Sequence, residues 1–143
     1  MTPAVTFHVT GSPVGYSRDG AALRYTPKAV TQWRGMVALS YTDALARIRS
    51  GVPLADSPPD MGAYLGRVAV TITATGAKGD ADNIAKEVLD ALLGLAYRDD
   101  CQVSSLCVML PMRQLGPGGG VKKPREASGV DVTVQFLGEG FGA

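Results

Sequence analysis

The chain is poor in the residues that staple small proteins together. Its 143 residues include two cysteines, one histidine and one tryptophan. Cys101 and Cys107 make no disulfide framework, and with no Cys-x-x-Cys pair and only His8 beside them a structural zinc site is excluded. If both cysteines lie on one strand, their even separation sets them on one face about 20 Å apart, too far to bond. They are expected as small buried apolar residues in a reducing cytoplasm. No apolar run approaches the ~20 residues needed to span a bilayer. The N-terminus lacks the basic start and apolar run of a secretory leader. Both absences predict a cytoplasmic protein without a membrane partner. An excess of either charge is missing too: 14 Lys and Arg stand against 13 Asp and Glu, for a net charge of +1. Any nucleic-acid site must therefore come from local basic patches. Organic-cofactor motifs are absent as well. Gly116-Pro117-Gly118-Gly119-Gly120 precedes Lys122-Lys123, but Pro124 stands where a phosphate-cradling loop needs Ser or Thr and a helix.

What remains is an ordinary soluble composition, 45% hydrophobic, in a chain long enough for one domain over residues 1–143. Val5 to Thr10 alternates and is β-branched, which predicts a strand. Gly11-Ser12-Pro13 breaks it, and Val14 to Leu23 reads as a loop or hairpin. Thr26-Pro27 predicts a helix start, with Thr as cap and Pro in the first position. Val30, Trp33, Val37, Tyr41 and Leu45 then follow at near-helical spacing to about Arg49. Gly51 to Gly62 reads as a loop. Val68, Val70, Ile72 and Ala74 alternate with Ala69, Thr71, Thr73 and Thr75 as a strand. Asn83 to about Leu95 is the clearest helix, with Ile84, Val88, Ala91, Leu92 and Leu95 on one face. Gln102 to Leu110 and Val130 to Leu137 are strands, separated by a basic, Gly-rich loop. The order predicts a mixed α/β (α+β) domain, a small mixed sheet packed with two main helices.

The acids are not spread evenly. Asp80-Ala81-Asp82-Asn83-Ile84-Ala85-Lys86, then Asp90, then Asp99-Asp100 crowd into one window. Like charges held together repel unless a cation or a proton joins them. The hard oxygen donors suit Mg²⁺, which keeps several waters and pairs with phosphate substrates. Asp80 and Asp82 point the same way if the strand-to-helix connection is extended. Asp82, Lys86 and Asp90, four residues apart, line the helix face opposite Ile84, Val88 and Leu92. Asp99-Asp100 is expected to fold back to the same end after a short turn. This set suits phosphodiester hydrolysis: metal ions activate water and neutralise phosphate oxygens, and a lysine offsets charge in the transition state. The structural alternatives are a helix cap at Asp82 or Asn83, a surface ladder through Asp82, Lys86 and Asp90, and a simple turn at Asp99-Asp100. An EF-hand is excluded, because Ile84 and Ala85 replace a ligand and the required glycine.

Across residues 80–103 the chain resembles the RusA family of Holliday junction resolvases, whose pattern is Asp-x-Asp-Asn-x-x-Lys, a helix with Asp-Ala-Leu, and Asp-Asp-x-Gln-Val. Here these are Asp80 to Lys86, Asp90-Ala91-Leu92, and Asp99-Asp100-Cys101-Gln102-Val103. The resemblance implies a homodimeric, Mg²⁺-dependent endonuclease that cuts four-way DNA junctions symmetrically, with Mn²⁺ as a possible substitute. It also implies Asp80, Asp82 and Asp100 as metal-binding catalytic carboxylates, Lys86 as the catalytic lysine, and Asn83, Asp90 and Asp99 as supporting residues. Many such proteins come from phages or prophages. Rival readings are a broader flap or fork nuclease and a non-catalytic junction-binding protein.

The resemblance thins in the basic segments. Family members often carry several arginines or lysines before the first Asp, where this chain has only Lys78. After the first strand it supplies only Arg18 and Arg24. Lys28 and Arg34 on the first helix, and Lys122, Lys123 and Arg125 in the Gly-rich loop, are the remaining candidates for DNA phosphates. Trp33 is expected in the core or at a dimer contact, and His8 is expected to be structural. Tyr16 and Tyr25, near Arg18 and Arg24, are equally candidates for DNA contact or packing.

Overall fold

A computed structural model describes residues 3–11, 28–51, 66–75, 81–110, 118 and 129–140. Four strands and two helices follow in the order β1 (Ala4–Thr10), α1 (Lys28–Gly51), β2 (Gly66–Thr75), α2 (Ala81–Leu92), β3 (Val103–Met109) and β4 (Gly129–Gly140). A 3-10 turn, Asp100–Gln102, leads into β3. The strands form one mixed sheet in the order β1-β4-β2-β3. β4 runs antiparallel to both β1 and β2, while β2 and β3 are parallel. This is a mixed α+β fold, as the element order predicts.

Side-chain periodicity explains each element. In β1, Val5, Phe7 and Val9 are buried while Thr6, His8 and Thr10 face water. β2 buries Val68, Val70, Ile72 and Ala74, and β4 buries Val130, Val132, Val134 and Phe136. On α1, Val30, Trp33, Val37 and Tyr41 recur every three or four residues and all are buried. Trp33 is thus a core residue. Phe7 and Tyr41 tie β1 to α1 edge-to-face, with ring centroids 5.9 Å apart at 79°, a geometry that adds about 1 kcal/mol to simple burial. Ile84, Ala85, Val88 and Leu92 supply the apolar stripe of α2. The start of the first helix predicted at Thr26-Pro27, nearly all of the three predicted loops and most of the basic residues expected to meet DNA lie outside the described residues.

A parallel strand pair needs a crossover connection, and α2 is that connection. It begins six residues past the end of β2 and returns toward the beginning of β3, which pairs with the beginning of β2 through Val68 and Val103. The helix ends earlier than the predicted Leu95. Gly94 takes φ +86°, a region side-chain-bearing residues avoid, and the amides of Leu95 and Ala96 both donate to the carbonyl of Leu92.

Two expectations are corrected. Cys101 lies in the 3-10 turn rather than on a strand, and both cysteines are exposed rather than buried. The turn at Asp100 and the edge position of β3 leave the two thiols at the surface. His8 does play a structural part. It faces Asp131 across the β1–β4 ladder, its Nδ1 2.8 Å from the carboxylate. The imidazole also lies over Gly129, where a Cβ would come within 2.6 Å of the ring.

Candidate active site

Asp82 and Lys86 occupy exposed positions one helical turn apart on α2. Asn83 and Asp90 are half-buried. The first-turn position of Asp82 is favourable for an anion, because unpaired amides and the helix dipole leave partial positive charge there. Asp80 lies outside the described residues, as do Arg18, Arg24, Lys78, Lys122, Lys123 and Arg125. Lys28, at the start of α1, is exposed.

The Asp99-Asp100-x-Gln segment has an explicit division of labour. Asp99 has extended backbone angles and caps the 3-10 turn, its carboxylate accepting from the Cys101 amide at 2.9 Å. That bond holds the Asp99 carboxyl below its ordinary range. A separate hydrogen bond from the Cys101 thiol to the Asp99 carboxylate pushes that thiol up, so this exposed thiol is less readily ionised than a free one. Gln102 is 2% exposed and uses both ends of its amide. Its Oε1 accepts from the amides of Arg98 at 2.9 Å and Asp99 at 3.0 Å, and its Nε2 donates to the Gly66 carbonyl at 2.9 Å. The turn is thereby clamped onto the first residue of β2, with Asp100 left exposed to solvent.

This clamp overturns the expectation that Asp99-Asp100 folds back to the end occupied by Asp82. Asp82 is in the first turn of α2, near the end of β2, whereas Asp100 is fixed beside the beginning of β2. The two lie at opposite ends of the helix, whose residues from Asp82 to Leu92 span about 15 Å at ~1.5 Å rise each. The physical reason is the parallel β2–β3 pair, which forces the crossover to return to where β2 began. Among the described residues, no three His, Cys, Asp or Glu side chains gather closely enough to hold a metal ion.

Asp90 is placed nearer to Asp100 than to a site at Asp82. Tyr97 is fully buried, and its hydroxyl donates to the Leu89 carbonyl at 2.7 Å. Burial raises its phenol well above the ordinary value, and the charges of Asp100 and Asp90 raise it further. Asp90 also accepts from Arg34 Nη2 at 3.1 Å, while Arg34 Nε donates to Glu87 at 2.5 Å. Arg34 is therefore committed between the helices rather than offered to DNA, which corrects the expectation from its charge. Glu87, 1% exposed, was missed at the sequence level. The available signal was a charge on the apolar stripe, between Ile84 and Val88, where burial demands a partner.

A sequence model of the endodeoxyribonuclease RusA family matches residues 8–135, most of the chain. The chain belongs to the RusA endodeoxyribonuclease family. No curated protein matches it. The family acts on DNA as a hydrolase, and its members are metal-dependent resolvases of Holliday junctions. In this RusA-family chain the match takes in both acidic segments and all of β1 to β3 from His8 onward. Among the described residues, no helix is long and apolar enough to cross a membrane.

Proposed function

We propose that this chain resolves four-way DNA junctions as a homodimer whose metal sites are each shared between two protomers. Asp80 and Asp82 of one chain and Asp100 of the other would hold Mg²⁺. The observation that supports this is the separation of Asp82 and Asp100 along α2, since one chain does not bring these two carboxylates together. The donor chemistry fits, because exposed carboxylates are the oxygen ligands that Mg²⁺ takes. Bound metal would lower the pKa of water and neutralise phosphate charge. Lys86, one turn beyond Asp82, would face the same phosphate and stabilise the negative charge that grows on it. Asp99 and Gln102 would position Asp100 by fixing the turn that carries it. Asn83 and Asp90 would support the helix from which Asp82 and Lys86 project. Lys28 and the basic residues Arg18, Arg24, Lys78, Lys122, Lys123 and Arg125 would meet the DNA backbone. We place this work in the cytoplasm of a bacterium or phage-infected cell, with residues 1–143 acting as one domain.

Mixing two inactive variants tests the shared site. Asp82→Asn and Asp100→Asn are each expected to abolish cleavage of a labelled mobile junction while still binding it. A mixed dimer has one site with both substitutions and one with neither, so mixing should restore nicking on one strand only. Silence of every mixture, with subunit exchange verified, would sink the shared arrangement. Equal cutting of flaps, forks and junctions by the unaltered protein would move the reading to a broader branched-DNA nuclease. Tight junction binding without cutting in Mg²⁺ or Mn²⁺ would indicate a binding protein.

A further inference from the structure

Arg34 does more than the burial of its partners requires. It reaches from α1 to α2 and bonds two acids there. Its Nε donates to Glu87 Oε2 at 2.5 Å and its Nη2 to Asp90 Oδ2 at 3.1 Å. Glu87 is 1% exposed, so its charge demands a partner. Asp90 is 33% exposed, and water can solvate that carboxylate without help. Burial explains the first bond and not the second.

Lys86 supplies the missing reason. It follows Asp82 by four residues and precedes Asp90 by four, so a carboxylate stands one turn away on either side of it. Lys86 is exposed, and its flexible stem can reach in both directions. The directions are not equivalent for cleavage. Toward Asp82 the ammonium meets the phosphate held at the start of α2. Toward Asp90 it points down the helix, away from that phosphate. A helix favours an acid placed before its lysine, which leans Lys86 toward Asp82, but the preference is small. Once Asp82 is given to a metal ion, its pull on Lys86 fades. Asp90 is then the competing anion unless its carboxylate is already engaged.

We infer that Arg34 is a positioning residue for Lys86: by holding the Asp90 carboxylate toward α1, it keeps the lysine directed at the phosphate beside Asp82. The inference rests on the catalytic role proposed above for Lys86. Glu87 fixes the guanidinium from the buried side, so the fork is set before it meets Asp90. Tyr97 does not share the task. Its phenol is near enough to feel the Asp90 charge, but it donates its hydroxyl to the Leu89 carbonyl. Lysine in place of Arg34 would not do the same work, because one ammonium lacks the planar fork that engages both acids.

Two variants separate this role from the stability of the helix pair. Arg34→Met with Glu87→Leu removes one charge of each sign and fills the space with apolar side chains, so net charge and fold are kept while Asp90 is released. Arg34→Lys keeps the cation, which should stay with buried Glu87 and again release Asp90. Both should melt cooperatively and bind a labelled four-way junction as the unaltered protein does. Both should cut it with kcat about fivefold lower, the shift a surface ion pair can drive. Adding Asp90→Asn to either should restore kcat, because no carboxylate remains to draw the lysine away. A merely structural arginine predicts no such rescue. A second readout needs neither metal nor DNA. In protein whose lysines carry isotope-labelled methyl groups, the Lys86 resonance is identified by its loss in Lys86→Arg. It should shift in the Arg34→Met, Glu87→Leu variant and return when Asp90→Asn is added. Normal kcat in both variants, a loss that Asp90→Asn leaves in place, or an unmoved Lys86 resonance overturns the inference. Lys86→Met decides the reading beneath it. If that variant cuts normally, the catalytic lysine itself is wrong. If it is inactive while both Arg34 variants cut normally, only the positioning role has failed.

Discussion

Removing the Arg34 side chain isolates the cost of a buried charge between the two helices. Glu87 is 1% exposed, and Arg34, 23% exposed, reaches it from α1 while also bonding Asp90. With Arg34→Ala, Glu87 must stay ionised without its partner, take up a proton, or pull α2 toward water. Breaking such a pair costs roughly 3–5 kcal/mol, and the partial exposure of Arg34 places this case near 3. For a chain of this length the melting temperature should fall by about 10 °C. Urea unfolding at fixed protein concentration would read the change, because any dimer makes stability depend on concentration. The double variant Arg34→Met, Glu87→Leu should regain most of the loss, since apolar residues of similar volume replace a buried pair with little penalty. A loss below ~1 kcal/mol for Arg34→Ala, the usual worth of an exposed pair, would show that Glu87 finds relief elsewhere and refute the reasoning.

Asp99→Ala should lower the melting temperature and Asp99→Ser should largely restore it, because serine also caps a helical turn; equal loss in both would deny the cap. Gly129→Ala should drive the His8 ring away from Asp131, with a stability loss that His8→Ala largely removes in a double-mutant cycle read by chemical denaturation. Burial pushes the Tyr41 phenol from 10.0 up to about 12, against a smaller opposing pull from Arg49. The folded state therefore holds this proton longer than the unfolded state does. Its contribution is full below pH 10 and is lost as pH rises through about 12, a change of about 3 kcal/mol at ~1.4 per unit. Tyr41→Phe should flatten that part of the stability profile measured by urea unfolding, and an unchanged slope would contradict it.

Alternation and helical spacing made most of the architecture legible in the sequence. Val68 to Ala74 and Val130 to Phe136 bury every second residue, and α1 and α2 bury one stripe each. These patterns report local geometry, so they survive without knowledge of the partner elements. The arrangement of the acids depends on something non-local. Whether Asp100 meets Asp82 turns on β2 and β3 being parallel, and the residues of either strand look the same in both senses. Arg34 was misread for a similar reason: a cation on a helix looks solvent-facing until Glu87 is seen to be buried opposite it. The role of Gln102 was equally hidden. Its amide has meaning only once Gly66, 36 residues earlier, is known to be adjacent.

The strand order has a consequence for synthesis. β4 is the last of the described elements to leave the ribosome, yet it lies between β1 and β2 and pairs with both. Until it emerges, β1 has no strand partner among the described residues, whose remaining elements can assemble only the β2–α2–β3 unit and the helices. Such long-range pairing slows folding, because the loop must close before the contacts reward it. Nascent chains that stop before residue 129 should therefore remain protease-sensitive at β1. The central position of this late strand makes β4 the step that joins β1 to the rest of the sheet, so folding of the nuclease waits on its synthesis.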